Sequence, residues 1–335
     1  MLRLKAPGKE RLFQSPMLEA TFGGGEANVA VSLSILGMSA AFVGALSRDA
    51  IGEAGLRALR AYGVDVSRVL RSARRTGIYF IEAGADQRAS EVVYDRAGSA
   101  ASEVKPGDFD WASIFAGADW FHVTGITPAL SRSAADASIE AARAARNAGA
   151  KVSVDINYRK KLWGYGAEAP EVMAGLVALA DVLIANEEDI QLGLGIEPDG
   201  TRGEPARRSL DGAACRSLAE RVKSRFPNLR LVAITLRESK SADRNGWSAA
   251  LHGASGFLAS RAYALEDIVD RVGGGDSFAA GLIFGLLEYG DEERALEFAA
   301  AASALKHSMP GDFCLATRNE IERLVAGDVT GRVNR

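Results

Sequence analysis

From about residue 118 the chain alternates short β-rich runs with longer helical patterns, and this alternation limits the possible folds more than any other feature. The strand candidates are 119–124 (DWFHVT), 151–156 (KVSVDI), 181–185 (DVLIA) and 230–235 (RLVAIT), all short, apolar and β-branched. Between them, 131–148 is rich in alanine and arginine and closes at Gly149, while 213–225 sets Leu218 and Val222 at helical spacing before Pro227. Strand, crossover helix and strand in succession predict an α/β fold, with a mostly parallel central sheet flanked by helices. The first third differs. Segments 76–82 (TGIYFIE) and 91–95 (EVVYD), separated by a polar loop containing glycine, predict an antiparallel hairpin that stands off the main sheet as a lid. Residues 195–210 are rich in glycine, proline and charge and predict an exposed loop; the last residues, 327–335, predict a frayed end.

Composition narrows the partners. Forty basic against 43 acidic side chains leave a net charge of −3, which provides no basic stripe for the phosphates of a nucleic acid. Cys215, Cys314, His122, His252 and His307 are too widely spaced to assemble a transition-metal cluster locally. Two thiols, no signal-peptide pattern and no apolar run of membrane-spanning length predict a cytoplasmic protein without membrane contact. Glycine alone departs from average usage, with 36 residues in 335 against a typical share of about 7%.

Six of those glycines form two triplets, Gly23-Gly24-Gly25 before Glu26-Ala27-Asn28 and Gly273-Gly274-Gly275 before Asp276-Ser277-Phe278. Each precedes an apolar helical face, Val29, Ala30, Leu33 and Leu36 in one case and Phe278, Leu282, Ile283 and Leu286 in the other. A glycine triplet at a helix start can turn several N–H groups toward one point, where the unpaired donors of the first turn attract an anion. No Lys-Ser/Thr pair follows and no G-x-G-x-x-G spacing occurs, so the common nucleotide loops are excluded. Asp276 beside such a pocket suggests a carboxylate that takes a proton next to a phosphate; a plain N-cap is the alternative.

The stretches GGGEANVAVSLSILG at 23–37 and DIVDRVGGGDSFAAGLIFGLL at 267–287 resemble the ribokinase-like (PfkB) carbohydrate kinases. GIYF at 77–80, YDRAGSA at 94–100, DINYRKKLW at 155–163, ITLRESKSADRNGW at 234–247 and KHSMPGDF at 306–313 are similar to the members acting on 2-keto-3-deoxygluconate. The resemblance implies a single kinase domain over 1–335, with lid segments at about 5–22 and 74–98. It implies transfer of the γ-phosphate of ATP to a hydroxyl of that sugar acid, giving 2-keto-3-deoxy-6-phosphogluconate. Asp276 is then the general base, and Gly273, Gly274 and Gly275 cradle the moving phosphoryl group. Gly24, Gly25, Asn28, Tyr79, Tyr94, Arg96, Arg159 and Asp312 are implied on the sugar side. Asn157, Tyr158, Arg159, Thr235, Gly246, Gly273 and Gly275 are implied on the ATP side. Asn186 and Asp189 are implied as indirect partners of Mg²⁺, with a helix cap as the alternative. A requirement for a monovalent cation such as K⁺ is left open, and a homo-oligomer is expected.

Arg96 and Arg159 carry the choice of substrate, because a guanidinium grips a carboxylate bidentately and a neutral hexose needs no such pair. Pairing of either with a neighbouring aspartate is the alternative. A neutral-sugar kinase and a sugar-binding sensor without turnover are the alternative functions. Members of the family carry an apolar strand ending in Gly-Glu or Gly-Asp ahead of the segment matching Met1–Leu4, and none precedes Met1 here. That strand ordinarily belongs to the main sheet, so the expected consequences are exposed apolar neighbours, one sugar contact fewer and impaired activity. Trp111, Trp120 and His122 are expected to pack, and Lys306 and His307 to sit at a helix C-terminus.

Overall fold

The structure, a computed structural model, describes residues 1–197 and 212–328, so the loop expected at 195–210 and the end expected at 327–335 lie largely outside the described residues. All four strand candidates form: β7 (Trp120–Thr124), β8 (Lys151–Asp155), β9 (Val182–Asn186) and β10 (Leu231–Ser239). They pair in parallel in that order. Beyond β10 the sheet turns antiparallel through β11 (Asn245–Gly253), which pairs with both β12 (Gly256–Ala259) and β13 (Tyr263–Leu265). The result is a mixed sheet, parallel where crossover helices connect the strands and antiparallel where tight turns do.

Alternate residues of the strands feed two cores. Val152, Leu183 and Val232 pack with α4 (Arg132–Asn147), α5 (Ala169–Val177), α6 (Glu187–Leu194) and α7 (Gly212–Arg225). Ile184, Ala233 and Leu251 pack on the other face with α8 (Gly274–Glu288), α9 (Glu292–Lys306) and α10 (Arg318–Val325). Burial on both faces is why these strands read as continuous apolar runs rather than as alternating ones. Helices α8 and α9 touch at backbone distance. A Cβ at Gly281 would lie 2.8 Å from the Ala299 Cα, and one at Gly285 2.6 Å from the Ala295 Cα. Any side chain at either glycine would drive the pair apart.

The hairpin of the first third also forms, as β5 (Ile78–Glu82) and β6 (Glu91–Asp95). It belongs to a four-stranded sheet ordered β2-β1-β5-β6, with β1 (Leu2–Lys5) parallel to β5 and antiparallel to β2 (Glu19–Phe22). The small sheet therefore begins at Leu2 rather than near residue 5, which brings Arg3 into it. The remaining elements are α1 (Gly25–Ile35), α2 (Ala50–Arg60) and the parallel pair β3 (Gly44–Ser47) and β4 (Val69–Ser72), which share a third core through Val31, Leu56, Leu46 and Val69, and the single turn α3 (Trp111–Ile114). Among the described strands β7 pairs only with β8.

The strand candidate ending at residue 235 extends further in the structure. Strand β10 runs on to Ser239 and pairs with β11 through Ser239 opposite Asn245. Gly246 thus lies in a strand opposite Glu238. Strand continuation carries Thr235 and Arg237 out along one face, because residues two apart point the same way. The carboxyl ends of β8, β9 and β10, the N-terminus of α8 and the inner face of the small sheet surround one cleft. Ligands of open α/β sheets lie at such strand ends.

Candidate active site

The two glycine triplets meet across this cleft. Gly24 caps α1 at φ 136°, and its N–H donates to the Asn28 Oδ1 at 3.1 Å. That bond fixes the Asn28 amide, whose Nδ2 donates to the Asp276 Oδ2 at 2.6 Å and more distantly to the Asp312 Oδ2 at 3.5 Å. Gly273 caps α8 at φ 85°, a conformation that favours glycine. The first-turn N–H groups of Gly275 and Asp276 have no acceptor among the described residues, whereas the Ser277 N–H is bound to the Gly273 carbonyl at 2.8 Å. Two donors therefore face the cleft beside a carboxylate. Burial pushes the Asp276 carboxyl up to about 7, helped by the charges of Asp312 and Glu26, while the Asn28 hydrogen bond and Arg159 oppose the rise. A carboxyl poised near neutrality can hold and release a proton under physiological conditions.

Tyr79 and Asp312 are brought to the site but are bound to other protein groups. The Asp312 Oδ1 accepts from the Arg3 Nη1 at 2.8 Å and from the Tyr79 hydroxyl, and Arg3 also holds Asp270. All four side chains are at least nine-tenths buried. Arg3 and Tyr79 converge on one Asp312 oxygen because β1 sets Arg3 opposite Tyr79 of β5. This network welds the small sheet to the loop after α9. Opposing carboxylates and desolvation are balanced by hydrogen bonds, so removing one member would leave a buried charge uncompensated.

The arginines behave differently. Arg96 is 8% exposed, its guanidinium lies 4.0 Å above the Tyr94 ring, and its Nε and Nη1 have no partner. Arg159, just beyond β8, donates among the described residues only to the Tyr158 carbonyl, at 2.8 Å. Neither forms an ion pair with a carboxylate among the described residues, so the alternative of a neighbouring aspartate is not what the geometry shows. Both line the cleft, where a small anion would satisfy them.

Further along lie the residues expected for the nucleotide. Asn157 adopts a left-handed φ of 38° with a buried, unpartnered Oδ1, and the Tyr158 N–H donates to the Asp189 Oδ1 at 2.8 Å. Asn186 and Asp189 form a capping box: the Asp189 N–H donates to the Asn186 Oδ1 and the Asn186 N–H to the Asp189 Oδ2. The helix-cap alternative is thus realised, and both Asp189 oxygens are engaged by backbone. Thr235 lines the cleft, but Gly246 does not. Two residues with no role in the sequence reading do line it. Asp155 ends β8, buried, with its carboxyl raised well above the ordinary range by desolvation and by Asp189 and Asp276. Arg237 projects from the extension of β10, and burial and then Arg159 lower its pKa. Their signal was positional, since a charge just past an apolar strand in an α/β sheet points into the crevice. The cleft measures about 2580 Å³, above the roughly 300–1000 Å³ of a single-ligand pocket, so it has room for two reactants.

The model of the pfkB family carbohydrate kinases matches residues 3–313. The chain belongs to that family. This pfkB-family kinase is 33% identical over 331 residues to a 2-dehydro-3-deoxygalactonokinase of Haloferax volcanii, covering 99% of this chain and 96% of the relative. It is 30% identical over 311 residues to a 2-dehydro-3-deoxygluconokinase of Bacillus subtilis, covering 92% and 87%. A crystal structure of a 2-dehydro-3-deoxygluconokinase from Thermotoga maritima superposes with a TM-score of 0.90 at 45% identity, covering 98% of this chain and 97% of the other. A carbohydrate kinase of this fold uses ATP, and the expected ribokinase-like α/β architecture with a separate smaller sheet is what the kinase shows. No described helix of the kinase is long and apolar enough to cross a membrane.

Whether the kinase's own residues suit ATP with Mg²⁺ can be judged from the cradle. The position a Cβ would take at Gly275 has no neighbour within 4 Å, so a side chain there would fill space that the cleft leaves open. The unpaired N–H groups beside it fit phosphate oxygens. Among the described residues no group of three or more His, Cys, Asp or Glu could enclose a metal ion, which fits Mg²⁺ carried largely by nucleotide phosphates and water.

Proposed function

We propose that this kinase transfers the γ-phosphoryl group of ATP to a hydroxyl of 2-keto-3-deoxygluconate, giving 2-keto-3-deoxy-6-phosphogluconate. The observation that carries the substrate class is the pair Arg96 and Arg159, two guanidiniums in the cleft without a carboxylate partner. Arg96 is buried, and leaving its charge unpaired costs several kcal/mol, which the carboxylate of a sugar acid removes and a neutral ketose does not, while the more exposed Arg159 offers a second guanidinium to the same anion. The names of the Bacillus and Thermotoga relatives support the gluco configuration. The Haloferax relative favours a second reading, the C4 epimer, because both sugars present the same carboxylate to the arginines.

In this reading the hydroxyl of the sugar lies between Asp276 and the cradle. Its proton passes to the Asp276 carboxylate as the new oxygen–phosphorus bond forms, and the bond from the γ-phosphorus to the bridging oxygen breaks to release ADP. Asn28 orients the carboxylate, and the N–H groups of Gly275 and Asp276 receive the charge on the phosphoryl oxygens. Mg²⁺, when bound with ATP, neutralises phosphate charge and fixes the chain of phosphates. Asp155 and Glu188, which line the cleft, would hold it through water, and Arg237 would meet the phosphates. Tyr94 supports Arg96 through its ring. A sensor without turnover would have no use for a carboxylate of raised pKa beside an open cradle.

Replacing Arg159 by alanine tests the arginine pair. The KM for the sugar acid should rise about tenfold or more while the melting temperature is kept, because Arg159 is exposed and bonds only its neighbour's carbonyl. An unchanged KM would sink the assignment.

A further inference from the structure

Lys306, the last residue of α9, is 0% exposed, which is rare for a lysine. Its position at a helix C-terminus accounts for a favourable dipole but not for complete burial, since a solvent-exposed lysine would gain the same contact. Its surroundings are specific. The Nζ donates to the Met309 carbonyl at 3.1 Å, and the Cε lies 3.3 Å from where a Gly273 side chain would begin. The ammonium thus sits under the cradle and holds the turn that leads to Asp312. The Asp312 carbonyl in turn lies 2.0 Å from the Gly273 Cβ position, so turn and cradle are locked face to face. Two neighbours on the same helix complete the support: the Ser303 hydroxyl donates to the Gly274 carbonyl at 2.7 Å, and the His307 ring lies 2.8 Å from a Gly274 Cβ position.

The electrostatics agree with the geometry. Burial pushes the Lys306 ammonium below its usual range, and Asp270 and then Asp312 act against that shift while Arg3 adds to it. No carboxylate contacts Lys306 within ion-pair distance among the described residues; Asp270 and Asp312 are instead occupied by Arg3. The ammonium therefore faces backbone oxygen, with two acidic groups in the next layer. Carbonyl oxygen with acidic groups behind it suits any small monovalent cation.

We propose that Lys306 is a positioning residue that supplies a built-in cation beneath the phosphoryl cradle, in the place a dissociable monovalent cation would otherwise occupy, so that turnover needs no K⁺. The inference rests on the assignment of Gly273–Gly275 as the phosphoryl cradle. It answers the requirement that sequence alone left open.

The test measures ADP release by the full-length wild type and by Lys306→Ala, with K⁺, ammonium or the bulky cation N-methyl-D-glucamine at equal ionic strength. Wild-type kcat should change by less than about twofold among the three salts. Lys306→Ala should lose about tenfold or more in kcat in N-methyl-D-glucamine with little change in sugar KM, and ammonium or K⁺ should restore at least half of that activity. Lys306→Met, which fills the space without charge, should be as slow and gain nothing from either ion. Strong stimulation of the wild type by K⁺, full activity of Lys306→Ala without added cation, or a folded Lys306→Ala that no cation restores would each overturn the proposal. If the alanine variant does not fold, the wild-type salt comparison and Lys306→Met decide: a K⁺-stimulated wild type, or a methionine variant as fast as wild type, contradicts it. Gly275→Ala, assayed in the same salts, separates the two levels. Activity retained there refutes the cradle assignment itself, whereas its loss alongside an unrescued Lys306→Ala refutes only the role of Lys306.

Discussion

The two glycine triplets are identical in sequence, and each caps a helix, yet they do opposite things with the space around them. At the first, Gly23 is closed by Asp312, whose Oδ2 lies 1.9 Å from a Cβ position, and Gly25 is closed by Thr124 at 2.8 Å. At the second, Gly273 and Gly274 are closed by the Asp312 carbonyl and His307, but Gly275 opens on empty space. The acids that follow divide in the same way. Glu26, after the first triplet, commits its Oε1 to the Thr124 N–H and hydroxyl and to the Thr127 hydroxyl. Asp276, after the second, accepts only from Asn28 among the described residues. One triplet is a joint in the framework, and the other leaves a face for a ligand. A run of glycines therefore says little until the neighbours of each missing Cβ are known.

The contrast is broken most severely at the two acids. Asp276→Asn should lower kcat by about 10²–10⁴-fold with sugar binding largely kept, whereas Glu26→Gln should act mainly on stability. Comparable turnover in Asp276→Asn would dismiss it as the base. The wild-type kcat/KM should fall about tenfold per pH unit below pH 7, as the carboxylate raised to about 7 takes up its proton. The same shift has a stability consequence. A carboxyl whose pKa is raised on folding costs stability as pH climbs from 3.8 through about 7, so Asp276→Asn should melt above wild type at pH 8. That difference should shrink toward pH 4 in paired thermal scans.

A smaller effect is expected at the glycines themselves. Gly275→Ala should keep its melting temperature yet lose about tenfold or more in kcat/KM, because the new methyl occupies the phosphoryl site. Gly23→Ala should lose about 2 kcal/mol or more in stability, since Asp312 is pinned by Arg3 and Tyr79 and cannot step aside. The reverse pattern, a destabilised Gly275→Ala and a neutral Gly23→Ala, would contradict the division between joint and ligand face.

The parts legible in the sequence share a physical origin. The strands at 120–124, 151–155 and 182–186 and the first part of β10, 231–235, were visible because burial on both faces leaves an unbroken apolar record. The hairpin at 78–82 and 91–95 was visible through its alternation and its polar turn. What escaped depends on contacts distant in sequence. Nothing around Arg3 announces that it will meet Asp270 and Asp312, 267 and 309 residues away. The extension of β10 past Thr235 was hidden by the charged residues of RESKSADR, which break the apolar run although β11 pairs with them up to Ser239. Arg237 was hidden with it. Of the named site residues, Asn28, Arg96, Arg159, Gly275 and Asp276 line one cleft, while Gly246 faces Glu238 in a strand. Asn186 and Asp189 show how one pattern serves two readings, since an asparagine followed three residues later by an acid is both a metal motif and a helix cap.

The central claim, that an open cradle and a raised carboxylate act on a sugar acid held by two arginines, is tested most directly by coupled ADP release over a substrate panel. The panel contains 2-keto-3-deoxygluconate, its C4 epimer and neutral fructose and ribose, each with ATP and Mg²⁺. The expected result is a kcat/KM for the sugar acids at least about a hundredfold above that for the neutral sugars, a margin that an unpaired buried guanidinium readily supplies. Equal or faster turnover of fructose or ribose would contradict it.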